Sequence, residues 1–349
     1  MRPLPSDSAA RTPTRRSLLR AGVLPAVAAL ALALPVAAQA QASAQSSAQS
    51  AADWPTKPIR LVVPYAAGGS SDTLGRMIAK HLSEAFKQPV VVDNRAGAGG
   101  MIGSQLVAKA APDGYTLVIS GIGSHVIAPV ENPSMFDPMK DFTHIALLGG
   151  PPIAMVVNAE QPIKDFKGFI AFASQDPKGV SWASPGQGTH GYLTGENFRT
   201  VSKLNLVHIA YKGAGPAVAD LVANQIPAGF MTLSSANAHV ESGKLRLLAL
   251  TSPKRLPEYP NVPTFIELGY PAVTGTTWFS LSGPAGMPAA IVDKINAEVR
   301  RGLATPAAKK QMAFESMVTV DYDAAGFTRF VAAEIEHWTP AVRALAKAK

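Results

Sequence analysis

Short apolar runs of about five residues alternate along this chain with stretches whose apolar positions recur every three to four residues. The first run, Ile59-Arg60-Leu61-Val62-Val63, has the length and β-branching of a buried strand. Behind it, Leu74, Met77, Ile78, Leu82 and Phe86 fall at helical spacing. Between them lies Tyr65-Ala66-Ala67-Gly68-Gly69-Ser70-Ser71-Asp72. Its glycines permit a sharp turn, and Ser70, Ser71 or Asp72 is expected to cap the helix that follows. The free N–H groups of a helix start attract anions, so this loop is a place to hold a carboxylate; an ordinary capped βα loop would read the same way.

The alternation continues. Residues 89–93 make a second strand, 94–100 a glycine loop, 102–111 a helix, 112–114 a turn and 115–119 a third strand. A β-α-β-α-β order implies a parallel sheet with right-handed crossovers, whose ligands bind beyond the C-terminal strand ends. The loop at 67–72 lies there, and so does Ser120-Gly121-Ile122-Gly123-Ser124-His125. Residues 129–141, with three prolines, read as irregular. After the apolar runs at 145–148 and 153–157 the pattern restarts, with strands at 180–184, 206–211, 228–232 and 245–250 and helices at 166–174, 190–201 and 216–224. A strand at 278–281 and helices at 288–303 and from 324 onward complete the chain. The fold class is therefore α/β, in two lobes with hinge strands between them. Residues 54–153 are assigned to lobe 1, 154–252 to lobe 2, and 253–349 to a return onto lobe 1 with C-terminal helices.

Composition changes the picture chiefly at the N-terminus. Thr14-Arg15-Arg16-Ser17-Leu18-Leu19-Arg20 reads as a twin-arginine export signal. The apolar run at 21–38, interrupted by Pro25 and Pro35, is too short and broken for a membrane span and ends in the A-x-A site Ala38-Gln39-Ala40. A basic tail before a buried helix is the other reading. Residues 1–40 are thus expected to be a signal peptide cleaved near Ala40 on the way to the periplasm, and 41–53 a flexible leader rich in Gln, Ala and Ser. The whole chain carries a net charge of +8; removing five arginines and Asp7 leaves 27 basic and 23 acidic side chains. No basic run with interleaved aromatics remains, so nucleic-acid binding is not expected. With no cysteine in the chain there are no disulfides, thiolate metal sites or cysteine nucleophile.

Candidate chemistry is sparse. Gly186-Gln187-Gly188-Thr189-His190-Gly191 matches the spacing of a dinucleotide loop, but Tyr211 and Lys212 stand where the ribose-binding acid belongs. What survives is a second anion-attracting helix start, with Ser184 and Thr189 as added donors. The seven histidines form no metal-binding pair, and no G-x-S-x-G elbow occurs. His190 at the glycine-loop helix start is either a ligand donor or a surface cap, whereas His208 in an apolar strand reads as structural. Ser184 near His190 suggests a nucleophile and base, but no nearby acid orients the imidazole. Trp278 and Phe279 read as core sooner than as a ligand platform. No catalytic residue, metal or cofactor is expected.

An export signal, two α/β lobes and glycine-lined helix starts in each lobe together resemble periplasmic binding proteins. More narrowly, the chain is similar to the Bug family, the solute-binding proteins of tripartite tricarboxylate transporters. The resemblance is carried by Trp54-Pro55-Thr56-Lys57-Pro58-Ile59-Arg60-Leu61-Val62-Val63-Pro64, by the 67–72 loop and by the 90–100 and 112–117 segments. Tyr211-Lys212-Gly213 and Gly283-Pro284-Ala285-Gly286 also fit it. It implies a Venus-flytrap receptor that holds a small carboxylated solute between the 67–72 loop and the 184–190 helix start, partly through backbone N–H groups and water. One departure stands out. Where many members have an acid or amide after the strand at 228–232, this chain has Met231, which passes the polar contacts to Thr232, Ser234 or Ser235. The ligand-facing set is then Ala67, Gly68, Gly69, Ser70, Asp72, Ser120, Ser184, Gly188, Thr189, His190, Thr232 and Ser234. The expected partners are a carboxylate solute and membrane permease subunits, with the protein a monomer. An exported hydrolase and a solute-sensing subunit that signals to a membrane kinase are the alternatives.

Overall fold

The computed structural model describes residues 53–347, so the expectations for the signal peptide and nearly all of the leader lie outside the described residues. Among the described residues, ten strands form two five-stranded sheets. In the first sheet β1 (Ile59–Val63), β2 (Val90–Asn94), β3 (Thr116–Gly121), β4 (Phe142–Gly149) and β10 (Phe279–Pro284) lie in the order β2-β1-β3-β10-β4. In the second, β5 (Ile153–Asn158), β6 (Val180–Ser184), β7 (Leu206–Ala210), β8 (Ala228–Thr232) and β9 (Leu245–Leu250) lie in the order β7-β6-β8-β5-β9. The two orders correspond strand for strand.

The sheets are mixed, not purely parallel as the strand-helix alternation suggests. β1 pairs in parallel with β2 and β3, and β6 with β7 and β8, as short βαβ units require. β10 runs antiparallel to both β3 and β4, and β5 antiparallel to β8 and β9. Each antiparallel strand is the one that arrives directly from the other lobe, so it enters its sheet from the cleft side. The crossings lie at 150–152 and at about 275–278, where Pro152 and Thr276 bridge each other. The return to the first lobe therefore comes later than residue 252. Phe265, Tyr270 and Val273 pack in the aromatic core of the second lobe with Phe169, Trp182, Phe198 and Phe230. Leu256, Tyr259 and Val262 cover the opposite face of the same sheet.

Among the described residues, ten α-helices flank the sheets: α1 (Ser70–Phe86), α2 (Met101–Ala108), α3 (Ala128–Glu131), α4 (Phe166–Gln175), α5 (His190–Ser202), α6 (Ala214–Val222), α7 (Leu233–Glu241), α8 (Ala289–Leu303), α9 (Pro306–Phe314) and α10 (Ala324–Lys347). The apolar stripe of α1, with Leu74, Ile78 and Leu82, is fully buried, as its spacing requires. α10 closes the first lobe through Phe327, Val331, Val342 and Leu345, which pack with Ile122, Val126, Leu147 and Trp278. α3, α7 and α9 had no counterpart in the sequence reading, which took 129–141 as irregular, and the 123–127 loop winds into a π-helical turn.

Candidate functional site

Both glycine loops end at helix starts that face the same space between the lobes. The lobes are in direct contact there. The Ala66 N–H donates to the Lys212 carbonyl at 2.9 Å. Ser70 Oγ lies 2.6 Å from Thr232 Oγ1 and 2.8 Å from Ser235 Oγ, and also pairs with Ser234. The Ser70 N–H donates to Ser235 Oγ at 3.1 Å. Glycines make this approach possible: a Cβ on Gly188 would sit 2.8 Å from Ala128 Cβ, and one on Gly69 3.2 Å from Ala214 Cβ. Between the two helix starts lies a cavity of about 50 Å³.

The cavity is bounded by the first two residues of α1, Ser70 and Ser71, and the first two of α5, His190 and Gly191. The opening N–H groups of a helix have no partner inside the helix and carry its positive dipole end. Two such starts converge on a space whose walls hold no charged side chain. The apolar wall comes from Ile122, Ile153, Pro185, Trp278 and Phe279. That combination suits an anion with an apolar body, held by dipoles and hydroxyls in place of a guanidinium.

Of the expected ligand-facing set, Gly69, Ser70, Ser120, Thr189, His190 and Thr232 line the cavity. Ala67 and Gly68 belong instead to the lobe-to-lobe contact opposite Gly215, and Gly188 to the contact with Ala128. Gly68 has φ +89°, a left-handed conformation that only glycine adopts without strain. Ser234 touches Ser70 but does not line the cavity; Ser235 does.

Three of these residues carry different roles from those expected. No side chain caps α1, whose N-cap is Gly69. Asp72 reaches back to the Gly68 N–H at 3.1 Å, accepts from Asn94 at 3.0 Å and pairs with Arg76 at 3.0 Å. Burial pushes its carboxyl up, and these three partners together bring it below its ordinary value. Asp72 thus shapes the loop and is not among the residues that line the cavity. Thr189 caps α5: its hydroxyl donates to the Gly186 carbonyl at 2.6 Å and accepts from the Tyr192 N–H at 3.3 Å, which leaves it no proton for a solute. Ser184 is fully buried, accepts from the Gly186 N–H at 3.0 Å and lies 2.7 Å from His208 Nε2. The Ser184–His190 pair considered from the sequence is therefore not formed.

His190 is buried, and its Nδ1 has no hydrogen-bond partner among the described residues. Burial lowers its pKa to about 4, so the ring is neutral at pH 7. Its edge packs on Trp338 of α10 with ring centroids 5.2 Å apart. Glu334 Oε2 accepts from both indoles beside the cleft, Trp278 at 2.7 Å and Trp338 at 3.1 Å. One carboxylate thereby links the first-lobe wall of the cavity to the aromatic ring that supports His190 of the second lobe. Trp278 is at once core and cavity wall, which its burial preference alone did not separate. Tyr65, beside the first glycine loop, also lines the cavity; only its position next to that loop hinted at this.

Burial also lowers His144 to about 4, and burial with the nearby His144 lowers His125 well below its ordinary value. An unfolded histidine takes up its proton near pH 6.5, whereas His190 and His144 do so only near pH 4 and His125 is lowered in the same direction. Their contribution is complete above pH 6.5 and lost as pH falls toward 4. We expect the unfolding free energy to drop across that window, by up to about 1.4 kcal/mol per pH unit for each histidine, and the urea midpoint to fall with it. Urea titrations at pH 7.5, 6 and 4.5 of the natural protein and of His190→Gln measure it. A slope identical in the two proteins would remove His190 from this account.

Residues 74–346 match the tripartite tricarboxylate transporter family receptor, TctC. Among curated relatives, protein BugT of Bordetella pertussis is 34% identical over 84% of this chain and 90% of its own. A Cupriavidus necator protein is 34% identical over 96% of this chain and 98% of its own. Among solved structures, an R. palustris protein with adipate is 31% identical with a TM-score of 0.80, covering 84% of this chain and 98% of its own. MatC of Rhodopseudomonas palustris, with bound malate, is 29% identical with a TM-score of 0.79, covering 83% and 100%.

Proposed function

The chain belongs to the tripartite tricarboxylate transporter receptor family, and from that premise we propose that it is a receptor whose lobes close on a small carboxylate at the cavity between α1 and α5. The observation that carries this reading is the convergence of two helix starts on one uncharged, partly apolar space. A carboxylate there exchanges water for N–H groups at both dipole ends, and each charge-assisted bond contributes roughly 1.5–3 kcal/mol. Micromolar binding requires about 8 kcal/mol, within reach of two such clamps once apolar burial is added and ordering costs are subtracted. The solute favours the closed state because only there does it touch both lobes.

In the same reading the protein is exported through its twin-arginine leader with cleavage near Ala40, works in the periplasm as a monomer, and delivers its solute to permease subunits. A receptor returns its ligand unaltered. The relatives with adipate and malate direct the first screen to dicarboxylates. Mature protein is screened by thermal shift against mono-, di- and tricarboxylates, amino acids and aromatic acids. An acid at about 100 times its Kd is expected to add about 2.7 kcal/mol of stability and to be recovered chemically unchanged. Conversion of the bound acid to a new compound would favour a hydrolase instead. No shift with any acid, together with no acid released on denaturation, would overturn the carboxylate reading.

A further inference from the structure

Cross-strand register places four polar side chains in a row through the core of the first lobe. Ser280 of β10 stands opposite Ser120 of β3, and Ser282 of β10 opposite His144 of β4. All four are buried. Ser120 Oγ lies 2.7 Å from Ser280 Oγ and 2.8 Å from Ser282 Oγ; Ser282 Oγ lies 3.2 Å from His144 Nδ1; His144 Nε2 lies 3.1 Å from the Pro138 carbonyl.

The direction of every hydrogen bond in this row follows from its last member. A carbonyl oxygen only accepts, so His144 Nε2 carries the proton. The ring is buried and neutral, so Nδ1 is bare and accepts from the Ser282 hydroxyl. Ser282 has spent its one proton and accepts from Ser120. Ser120 has then spent its own, and Ser280 donates to it. The remaining hydrogen-bonding capacity of Ser120 is a lone pair, and Ser120 lines the cavity. Tyr65, which also lines the cavity, donates its hydroxyl proton to the Gly99 carbonyl at 3.0 Å and so offers no proton to a solute either.

The cavity thus has donors at its two helix starts and acceptors on the first-lobe wall. We propose that Ser120, polarised by the row that ends at His144, selects carboxylates that also carry a hydrogen-bond donor, namely hydroxy- and amino-carboxylates. A bare carboxylate oxygen against Ser120 meets a lone pair; a hydroxyl or ammonium group satisfies it. This inference rests on the receptor reading above and specifies the solute class for that same cavity.

Matched acids test it: L-malate and aspartate against succinate, and lactate against propionate, each by calorimetric titration. The hydroxy or amino member is expected to bind roughly tenfold more tightly than its unsubstituted partner, the worth of one well-made hydrogen bond. In Ser120→Ala the ratio falls toward one. In Ser282→Ala, which does not line the cavity, the Ser120 proton is released toward the solute and the ratio falls as well. A merely structural role for Ser282 would weaken both members equally and leave the ratio intact, which overturns the proposal, as does tighter binding of the unsubstituted acid by the natural protein. The ring-carbon NMR shifts of His144 provide a readout without ligand. The Nε2–H tautomer is expected; an Nδ1–H tautomer reverses the row and overturns the proposal while leaving the receptor reading untouched. If no acid of the panel binds while the tautomer is as expected, it is the receptor reading that fails, and this inference with it.

Discussion

Gly215→Val is expected to weaken carboxylate binding by roughly a hundredfold or more, about 2.7 kcal/mol, while leaving the unfolding midpoint of the unliganded protein nearly unchanged. A Cβ at Gly215, on the first turn of α6, would fall inside the radius of the Ala67 carbonyl oxygen in the opposite lobe. The other atoms it meets, the Ala67 carbonyl carbon and Gly68 Cα, belong to that same loop. The obstruction therefore vanishes when the lobes part. An added side chain raises the free energy of the closed state alone, and a solute that binds by closure bears the whole difference. Calorimetric titration with the best-binding acid of the screen measures the effect, with small-angle scattering to report lobe separation. Unchanged affinity would mean that binding does not require the contact between Ala67 and α6.

Gly150→Val is expected to act on stability instead, by about 3–5 kcal/mol, with a fall in melting temperature of roughly 5–10 °C. Gly150 lies on one crossing strand, and a Cβ there would run into the Thr277 carbonyl on the other. Neither strand is free to step aside. The Gly150 N–H donates to the Val318 carbonyl at 2.9 Å, the Val318 N–H returns a bond at 3.0 Å, and the Thr277 N–H donates to the Pro151 carbonyl at 3.2 Å. The crossings are thus bonded to each other and to the segment leading into α10. Calorimetry of the variant decides the matter. A midpoint within a degree of the natural protein would show that the crossings have slack that these bonds do not suggest.

The strands and long helices were legible because burial imposes period on sequence. β1, β5 and β9 are near-continuous apolar runs, and the spacing of Leu74, Ile78 and Leu82 marks the buried face of α1. The direction of β5 and β10 was not legible, because strand direction depends on where the chain comes from and leaves no local signature. The attachment of 253–273 to the second lobe was hidden for a related reason: Phe265 and Tyr270 reveal that they are core residues, but not of which core. At the site, glycine loops before helices marked both helix starts that border the cavity, since loop chemistry is local. The roles of Ser184, Thr189 and Asp72 were misjudged because a hydroxyl or carboxylate beside a helix start serves a cap, a loop or a solute equally well until its partners are known. The one signal left unread was Ser280-Leu281-Ser282 in β10. Two serines alternating through a central, buried strand require partners, and the partners were Ser120 and His144.

The grip of Glu334 on two indoles gives the molecule a built-in optical reporter. The chain has four tryptophans. Trp54 packs on Phe86 and Tyr115 within the first lobe, and Trp182 on Phe230 within the second, so neither changes surroundings when the lobes move as units. Trp338 rests on His190 across the cleft, and Trp278 forms part of the cavity wall. On the receptor reading, emission from these two is expected to report lobe separation, and emission from the other two supplies the internal reference. Lobe movement is thus written into the intrinsic fluorescence of the protein, without any added label.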